Sequence, residues 1–243
     1  MVIGITGENG FIGSHLMICA KRRYGHKVLC LGRPFSLGPD TLEGLDRVIH
    51  CAAVHRDNNP ESIYDKNMEI NQSLIHMLNS HNLAPDIVML SSIQEGDGSP
   101  YGSSKKDGSA LLSEFCKVKQ TAFLKFNLNN TFGPLSQPYK YSFVATFCFN
   151  ILNDIECNVS DREITLSYID DVVDSVLIGC DDNFPKYRTS VRYVFDKLMF
   201  FKNSHLSNHT IPQFGSRFDF LLYNTLVSFV NYPSIPTKFM DRP

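Results

Sequence analysis

Short apolar runs rich in β-branched residues alternate with longer amphipathic stretches through the first half of the chain. The short runs predict strands, and the longer stretches, in which apolar residues recur at helical spacing, predict helices. We expect strands at 1–6, 27–31, 47–52, 86–91 and 122–127, and helices at 11–21, 68–80 and 103–117. Because strands and helices alternate, the pattern is typical of parallel βαβ units, and it predicts an α/β fold with a doubly wound parallel sheet.

The alternation ends near Pro134, after which proline and aromatic residues become frequent. The segment 169–180 is an exception, because Asp170 and Asp171 at its start favour the positive end of a helix. We expect this helix to pack back on the first domain. The predicted domains are a dinucleotide-binding Rossmann domain at 1–133, with 166–182 packed on it, and a small substrate-binding lobe at 134–165 and 183–243.

Composition narrows the class of protein. The chain has 23 Lys and Arg against 25 Asp and Glu, so it lacks the basic field that selects nucleic acid or an anionic membrane surface. The seven cysteines contain no C-x-x-C pair, which indicates reduced thiols in the cytoplasm. No apolar run approaches membrane-spanning length. His50 and Cys51 are neighbours on a predicted strand and point to opposite faces, so we expect no metal site there.

A glycine loop connects the first predicted strand to the first predicted helix. Gly7, Gly10 and Gly13 have the spacing G-x-x-G-x-x-G. Gly7 permits a tight turn, Gly10 lets the backbone approach a pyrophosphate, and Gly13 lets the helix lie close to the sheet. The phosphates would meet the N–H groups of the helix N-terminus. We therefore predict a dinucleotide-binding loop with contacts from Gly7, Asn9, Gly10, Phe11, Ile12 and Gly13.

The end of the second predicted strand indicates which dinucleotide the loop binds. Folds that select NAD place an Asp or Glu there for the ribose 2′-hydroxyl, whereas an Arg accommodates the 2′-phosphate of NADP. Arg33 stands at this position, and no acidic residue follows before Asp40. The sequence therefore predicts NADP(H) as the cofactor, with Arg33 as a contact. The short stretch between Arg33 and Asp46 also predicts that the usual third βα unit is abbreviated or absent.

Ser92, Tyr101 and Lys105 have the side chains that a carbonyl-reducing site needs. Ser92 follows a predicted strand, and Tyr101 and Lys105 are four positions apart at the start of a predicted helix, hence on one face of it. A free phenol has a pKa of about 10, and a nearby cation such as Lys105 favours its phenolate. We predict that Tyr101 protonates a carbonyl oxygen as hydride reaches the carbon, while Ser92 hydrogen-bonds the same oxygen.

These motifs resemble the extended short-chain dehydrogenase/reductase family of nucleotide-sugar enzymes, the NAD-dependent epimerases and dehydratases. Three further segments, at 50–53, 130–134 and 168–172, resemble the family patterns H-x-A-A/G, N-x-[YF]-G-P and Y-[IV]-x-D-[VI], so the resemblance covers nearly the whole chain. It implies cofactor contacts from Ala52, Ala53, Asn71, Tyr101 and Lys105, in addition to the loop. It implies substrate contacts from Ser92, Gln94 and Asn130.

More narrowly, the segments 90–102 and 142–148 resemble the reductase domain of the capsular-polysaccharide reductases that act on UDP-2-acetamido-2,6-dideoxy-hexuloses. In those enzymes a zinc-dependent cupin domain that epimerises C3 follows the reductase domain. This chain ends at Pro243, where that domain would begin, so we expect the resemblance to concern the reductase domain without the cupin. Asn127 stands where the family commonly has an arginine, which leaves one phosphate or cofactor contact open.

The resemblance implies an enzyme that uses NADPH to reduce the C4 ketone of a UDP-4-keto-6-deoxy-N-acetylhexosamine. The product would be a UDP-N-acetyl-6-deoxy-L-hexosamine such as UDP-N-acetyl-L-rhamnosamine. A cytoplasmic homodimer is expected, with a UDP-N-acetylglucosamine 4,6-dehydratase and a 2-epimerase as functional partners. Two alternatives remain open: a 4-epimerase or dehydratase that retains NAD(P), and a non-enzymatic NADP sensor. Gln94 is not the acid usual in dehydratases, and sensors commonly lack the Tyr or Lys present here as Tyr101 and Lys105.

Overall fold

The computed structural model describes residues 1–33, 35, 38–179 and 183–232. The strands found among the described residues of the first half are β1 (Val2–Thr6), β2 (Lys27–Cys30), β3 (Leu45–His50), β4 (Asp86–Ser92) and β5 (Phe123–Leu128). All of them pair in parallel, in the order β2-β1-β3-β4-β5. The predicted Rossmann-type α/β fold is therefore confirmed.

Helices connect these strands: α1 (Phe11–Arg22), the short α2 (Pro39–Leu42), α3 (Ser62–Ser80) and α4 (Pro100–Lys119). The described residues between β2 and β3 contain α2 and no strand, in agreement with the short gap in the sequence. The strand order therefore reverses at β1, which lies between β2 and β3. In open α/β sheets, the ligand crevice lies at the carboxyl ends of the strands where the order reverses. Thr6 and His50 end the two strands at this point.

Helices α3 and α4 contribute to one buried apolar cluster with the strands. Its fully buried members include Leu74 of α3, Leu112 of α4 and Ile87 of β4. Burying an aliphatic side chain of this size contributes roughly 1.5–3 kcal/mol. The first turns of α4 bury small or polar residues instead, namely Gly102, Ser104, Lys105, Gly108 and Ser109. Because buried polar groups require hydrogen-bond partners, this end of α4 is where a polar site can form.

Helix starts differ more from the prediction than strand ends do. Strand bounds lie within one or two residues of those predicted, but α3 begins at Ser62 instead of at 68, and α4 at Pro100 instead of at 103. In α4 the Ser99 hydroxyl accepts a hydrogen bond from the Gly102 N–H at 2.9 Å, and Pro100 occupies the first helical position. In α3 the early turns bury the polar residue Asn67, so the apolar periodicity that predicts a helix is interrupted there.

The chain forms two compact units. The first contains Met1–Leu128 and the described part of Val173–Asn183, and the second contains Asn129–Val172 and the described residues from Phe184 onward. The elements of the second unit are β6 (Asn130–Phe132), α5 (Phe143–Leu152), β7 (Glu163–Tyr168), β8 (Tyr187–Ser190), α7 (Val191–Phe201) and α8 (Arg217–Val227). Helix α6 (Ile169–Ile178) begins in the second unit and ends in the first. A π-helical turn, Lys202–Ser207, follows α7. None of the helices in the described part of the chain is long and apolar enough to cross a membrane.

The boundary between the units lies earlier in the chain than the predicted domain boundary. Residues 129–133 and 166–172 were expected in the first domain, and in the structure they belong to the second unit. The reason is strand pairing, because β6 and β7 pair with each other, with Asn130 opposite Leu166. The later part of α6 belongs to the first unit, where Asp174 accepts a hydrogen bond from Arg23 at 3.1 Å. The end of the predicted helix, Cys180, lies outside the described residues.

Candidate active site

The glycine loop lies at the point where the strand order reverses, between β1 and α1. Gly7 has a φ of +68°, and a Cβ there would lie 2.8 Å from the backbone nitrogen of Ala52. A Cβ on Gly13 would lie 2.1 Å from the Gly7 carbonyl oxygen, while the Gly10 N–H donates to that same oxygen at 2.9 Å. The loop therefore has no room for a side chain at Gly7 or Gly13. This tight cradle fits a dinucleotide, whose pyrophosphate requires close approach of the backbone.

The other predicted cofactor residues of this region lie in or beside the loop. Phe11 is buried, Ile12 is half-buried, and Asn9 is exposed, with its Nδ2 atom 3.2 Å from Glu8 Oε1. Ala52 and Ala53 follow β3, and Ala52 packs against Gly7. Their contacts with a cofactor stay predictions.

Arg33 and Glu8 place opposite charges near the end of β2. Arg33 is exposed, three residues after the last residue of β2. A Cβ on the neighbouring Gly32 would lie 3.2 Å from Glu8 Oε1. A carboxylate therefore reaches the position where NAD-selecting folds place an acid, although no acid follows β2 in the sequence before Asp40. Glu8 was not predicted, because an acid in the glycine loop carries no sequence signal that places it beside the end of the second strand.

Tyr101 and Lys105 lie on one face of α4, and the Lys105 Nζ atom is 5.8 Å from the centroid of the Tyr101 ring. Lys105 Nζ donates a hydrogen bond to the Leu90 carbonyl oxygen at 2.8 Å. Leu90 lies in β4, two residues before Ser92. The structure therefore joins the helix with Tyr101 and Lys105 to the strand that ends in Ser92.

Burial changes the proton affinities of Tyr101 and Lys105 in opposite directions. It raises the pKa of Tyr101 to about 12. It lowers the pKa of Lys105 to about 8, against the opposing effects of Cys51 and of the Glu95 carboxylate. Burial is the effect that dominates at the phenol in the structure, and the predicted stabilisation of its phenolate by Lys105 stays a prediction. A phenol that keeps its proton beside a buried ammonium is suited to act as an acid.

Ser92 and Gln94 begin the loop between β4 and α4. Ser92 is 9% exposed, and its Oγ atom accepts a hydrogen bond from the Gln94 N–H at 3.2 Å. The Gln94 side chain is exposed and lies 3.4 Å from Asp97. Glu95 anchors this loop, because it accepts hydrogen bonds from Ser91 Oγ and from Lys125 Nζ, the latter at 2.7 Å. Glu95 was not predicted, and a single acid in a loop carries no sequence signal that distinguishes it.

Asn71 lies in the buried part of α3, where it is 3% exposed. Its Oδ1 atom is 3.0 Å from His50 Nε2, and its Nδ2 atom donates to the Asn67 carbonyl oxygen at 2.8 Å. Each polar atom of the amide therefore already has a partner within the protein. The predicted contact of Asn71 with the cofactor stays a prediction.

Asn127 and Asn130 lie close together in sequence but in different units. Asn127 is on β5 opposite Ser91, and its Oδ1 atom is buried with no hydrogen-bond partner within the described part of the chain. Asn130 is exposed at the start of β6 in the second unit. Its substrate contact stays a prediction. Among the described residues, no group of three or more His, Cys, Asp or Glu side chains could hold a metal ion.

Comparison with known proteins identifies relatives of this chain. The model of the NAD dependent epimerase/dehydratase family matches residues 3–184. The UDP-2-acetamido-2,6-beta-L-arabino-hexul-4-ose reductase of Pseudomonas aeruginosa strain PA103 is 34% identical over 243 aligned positions, which cover 95% of this chain and 65% of that protein. The chain thus spans slightly less than two thirds of the length of this relative.

Solved structures give the same result. The capsular polysaccharide assembling protein CapF from Staphylococcus aureus superposes with a TM-score of 0.78 at 27% identity, over 100% of this chain and 67% of that one. The UDP-glucuronic acid 4-epimerase from Bacillus cereus, solved in complex with NAD, has a TM-score of 0.75 at 17% identity, over 94% of this chain and 98% of that one, and it shows the fold alone. The family resemblance carried by the motifs is confirmed. The chain belongs to the NAD dependent epimerase/dehydratase family, whose members use a nicotinamide cofactor.

Proposed function

We propose that this protein uses NADPH to reduce the C4 ketone of a UDP-linked 4-keto-6-deoxy-N-acetylhexosamine. The observation that carries the proposal is the hydrogen bond from Lys105 to Leu90, because it holds the Tyr101 helix against the strand that ends in Ser92. The 34% identity to a reductase of a UDP-linked hexulose favours this substrate class. The product is a UDP-N-acetyl-6-deoxy-L-hexosamine such as UDP-N-acetyl-L-rhamnosamine.

The residues of the chain handle the proton and the developing charge. A bound nicotinamide would supply the hydride for the ketone carbon. Tyr101 holds its proton, since burial raises its pKa to about 12, and it gives that proton to the ketone oxygen as negative charge develops there. The Lys105 ammonium, 5.8 Å from the ring centroid, stabilises the phenolate that remains.

Ser92 completes this arrangement as a hydrogen-bond donor. Its oxygen accepts the Gln94 N–H, so its own hydroxyl proton can be donated to the ketone oxygen. A donor fixed at the position where an oxyanion develops stabilises the transition state more than the ground state. Gln94 and Asn130 are proposed to contact the sugar nucleotide.

We place the reaction in the cytoplasm, where the protein acts as a homodimer. The six cysteines in the described part of the chain are all free thiols, which suits a reducing compartment. A UDP-N-acetylglucosamine 4,6-dehydratase supplies the unstable keto sugar, and a 2-epimerase is a further functional partner. We propose that C3 keeps the configuration in which it is delivered, because Tyr101 acts at the C4 oxygen and no second general base has a recognisable motif in the sequence.

A coupled assay tests this function. The dehydratase generates the keto sugar, NADPH oxidation is followed by absorbance, and the product is identified by NMR. We expect one NADPH oxidised per sugar reduced. A new sugar formed without net NADPH oxidation would identify an epimerase, and no oxidation with any 4-keto sugar nucleotide would favour an NADP sensor. In D2O, with a dehydratase that does not exchange C3, deuterium at C3 in proportion to this protein would contradict the retention of C3.

A further inference from the structure

A chain of buried polar side chains connects β1 to the start of α4. It consists of Thr6, His50, Asn71, Asn67 and Ser104, each at most 4% exposed, and we call it the buried polar chain. His50 is at its centre, with Nδ1 2.9 Å from Thr6 Oγ1 and Nε2 3.0 Å from Asn71 Oδ1. The proposed reaction assigns no role to His50, although a buried imidazole beside a buried lysine is an unusual core residue.

The hydrogen bonds of Thr6 determine which imidazole nitrogen carries the proton. The Thr6 hydroxyl oxygen accepts the N–H groups of Cys51 and Ala52, both at 3.1 Å, and these use its two lone pairs. Thr6 must therefore donate its own proton to Nδ1 of His50. His50 is then neutral, with its proton on Nε2, and it donates to Asn71 Oδ1.

The charge of Lys105 favours the same neutral form. Complete burial and the nearby Lys105 ammonium together lower the pKa of His50 to about 3, with burial the larger effect and the hydrogen bond to Asn71 opposing it. An imidazolium would need a second acceptor, and Thr6 has no lone pair left for one. His50 therefore remains a fixed donor to Asn71 at neutral pH.

Asn71 and Asn67 transmit this constraint to α4. Asn71 packs directly against α4, since a Cβ on Gly108 would lie 2.4 Å from Asn71 Nδ2. Asn67 Nδ2 donates to Ser104 Oγ at 2.9 Å, and Ser104 donates to the Tyr101 carbonyl oxygen at 2.7 Å. These contacts flank Lys105 on both sides along the helix. Polar groups with defined directions therefore set how the first turns of α4 lie on α3.

We propose that His50 is a positioning residue of this reductase, which fixes the Asn71 amide and thereby holds the α4 turns with Tyr101 and Lys105 in register with the glycine-loop strand. The inference rests on the proposed function for its kinetic test. The role of His50 differs from a purely structural one because its side chain acts through one directed hydrogen bond. A replacement that keeps this bond should therefore keep turnover, even when it loses the bond to Thr6.

Two substitutions separate the two sides of the ring. His50→Gln places an amide nitrogen near the position of Nε2 and can still donate to Asn71. His50→Asn places an amide oxygen near Nδ1 and can still accept from Thr6, but it leaves Asn71 Oδ1 without its donor. Val48→Ala, in the same strand and fully buried, is the control for loss of stability alone.

We expect His50→Asn to lower kcat at least about tenfold, with a smaller effect on the KM for NADPH, because small misplacements of catalytic groups reduce turnover strongly. We expect His50→Gln to retain kcat within about threefold, and Val48→Ala to retain kcat per folded molecule. Asn71→Leu should reproduce the loss, and combining it with His50→Asn should add little, because the two residues act through one bond. Equal kcat for His50→Asn and His50→Gln, or an equal loss in Val48→Ala, would overturn the proposal.

Nuclear magnetic resonance tests the tautomer without any substrate. In the full chain labelled with 15N-histidine, the signals absent from His50→Gln identify His50, and we expect a protonated Nε2 and an unprotonated Nδ1 from pH 5 to 8. A proton on Nδ1, or titration within this range, would overturn the proposal. If the wild-type protein reduces no 4-keto sugar, the proposed function fails. His50 is then still tested by the tautomer and by NADPH fluorescence, which should show weaker binding for His50→Asn than for His50→Gln.

Discussion

Lys105 Nζ donates a hydrogen bond to the Leu90 carbonyl oxygen at 2.8 Å, inside a core where the lysine is 5% exposed. Burial lowers the pKa of Lys105 to about 8, against 10.5 for an ordinary lysine. Between about pH 8 and 10.5, Lys105 is more often protonated in the unfolded chain than in the folded one, so its contribution to folding stability rises with pH. Its contribution to catalysis falls, because the ammonium is lost. We expect kcat/KM for NADPH to decrease as pH rises through about 8. A pH profile of kcat/KM tests this, because it reports the groups that titrate in the free enzyme.

Two variants control this assignment. Glu95→Gln removes a carboxylate that raises the pKa of Lys105, so the decrease should move to lower pH. Lys105→Arg keeps its charge throughout, because guanidinium does not deprotonate in this range, so any activity that survives should not decrease near pH 8. A decrease at the same pH in both variants would assign it to another group.

Tyr101→Phe is expected to abolish reduction and to leave NADPH affinity nearly unchanged. The substitution removes the proton donor but little ground-state binding, so the loss should appear in kcat. Steady-state kinetics and NADPH fluorescence measure the two quantities. Tyr64→Phe, which removes an exposed hydroxyl that donates to Asp107, is the matched control and should retain activity. Retention of a tenth of wild-type turnover by Tyr101→Phe would exclude the assigned role.

The ion pair between Glu95 and Lys125 should stabilise the protein more than an exposed pair does. Its side chains are 17% and 30% exposed, whereas Glu114 and Lys117 are 64% and 79% exposed. Lys125→Met removes the cation beside a largely buried carboxylate and leaves it the hydrogen bond from Ser91, so we expect a loss of about 1 to 2 kcal/mol in the free energy of unfolding. Lys117→Met should change it by less than about 0.5 kcal/mol. Urea denaturation measures both, and equal losses would contradict the prediction.

Gly108→Ala tests the close packing of α3 on α4. Alanine normally stabilises a helix interior by about 0.5 to 1 kcal/mol relative to glycine. Here the new Cβ would lie 2.4 Å from Asn71 Nδ2, so Asn71 must move. We expect Gly108→Ala to lower both the thermal midpoint and kcat. At Gly38 no described heavy atom lies within 4 Å of a Cβ, so Gly38→Ala should change neither. A rise in the midpoint for Gly108→Ala would disprove the packing.

Arg33 and Glu8 should affect the choice of cofactor in opposite directions. Arg33→Ala should weaken NADPH by ~1 to 3 kcal/mol and leave NADH nearly unchanged, because only NADPH carries the 2′-phosphate. Glu8→Gln should favour NADPH over NADH, because the carboxylate beside Gly32 repels that phosphate. Titration of both cofactors measures the ratio, with Arg22→Ala on the exposed end of α1 as the control. Equal losses for both cofactors in Arg33→Ala would remove Arg33 from the phosphate site.

Local patterns were sufficient for the elements in which neighbouring residues carry the whole signal. The spacing of Gly7, Gly10 and Gly13 after an apolar run predicted β1, the loop and α1, because spacing along the chain is enough to place a turn between a strand and a helix. The spacing of Tyr101 and Lys105 placed both on one helix face for the same reason. The sheet followed from the alternation of these elements.

Contacts between distant parts of the chain decided the rest. Asn67 and Asn71 interrupt the apolar stripe of α3, and their burial is favourable only because Ser104, His50 and other distant groups satisfy them. The pKa of Tyr101 rises because other segments cover the phenol, which no spacing in the sequence reveals.

The sequence by itself therefore determined the succession of strands and helices along the chain, the glycine loop and the spacing of Tyr101 and Lys105, since these depend on local conformation and periodicity. Only the tertiary structure decided that Glu8 reaches Gly32, that Glu95 pairs with Lys125, and that His50 donates to Asn71. The physical reason is that hydrogen bonding and desolvation depend on which groups are neighbours in space, and folding alone brings these residues together.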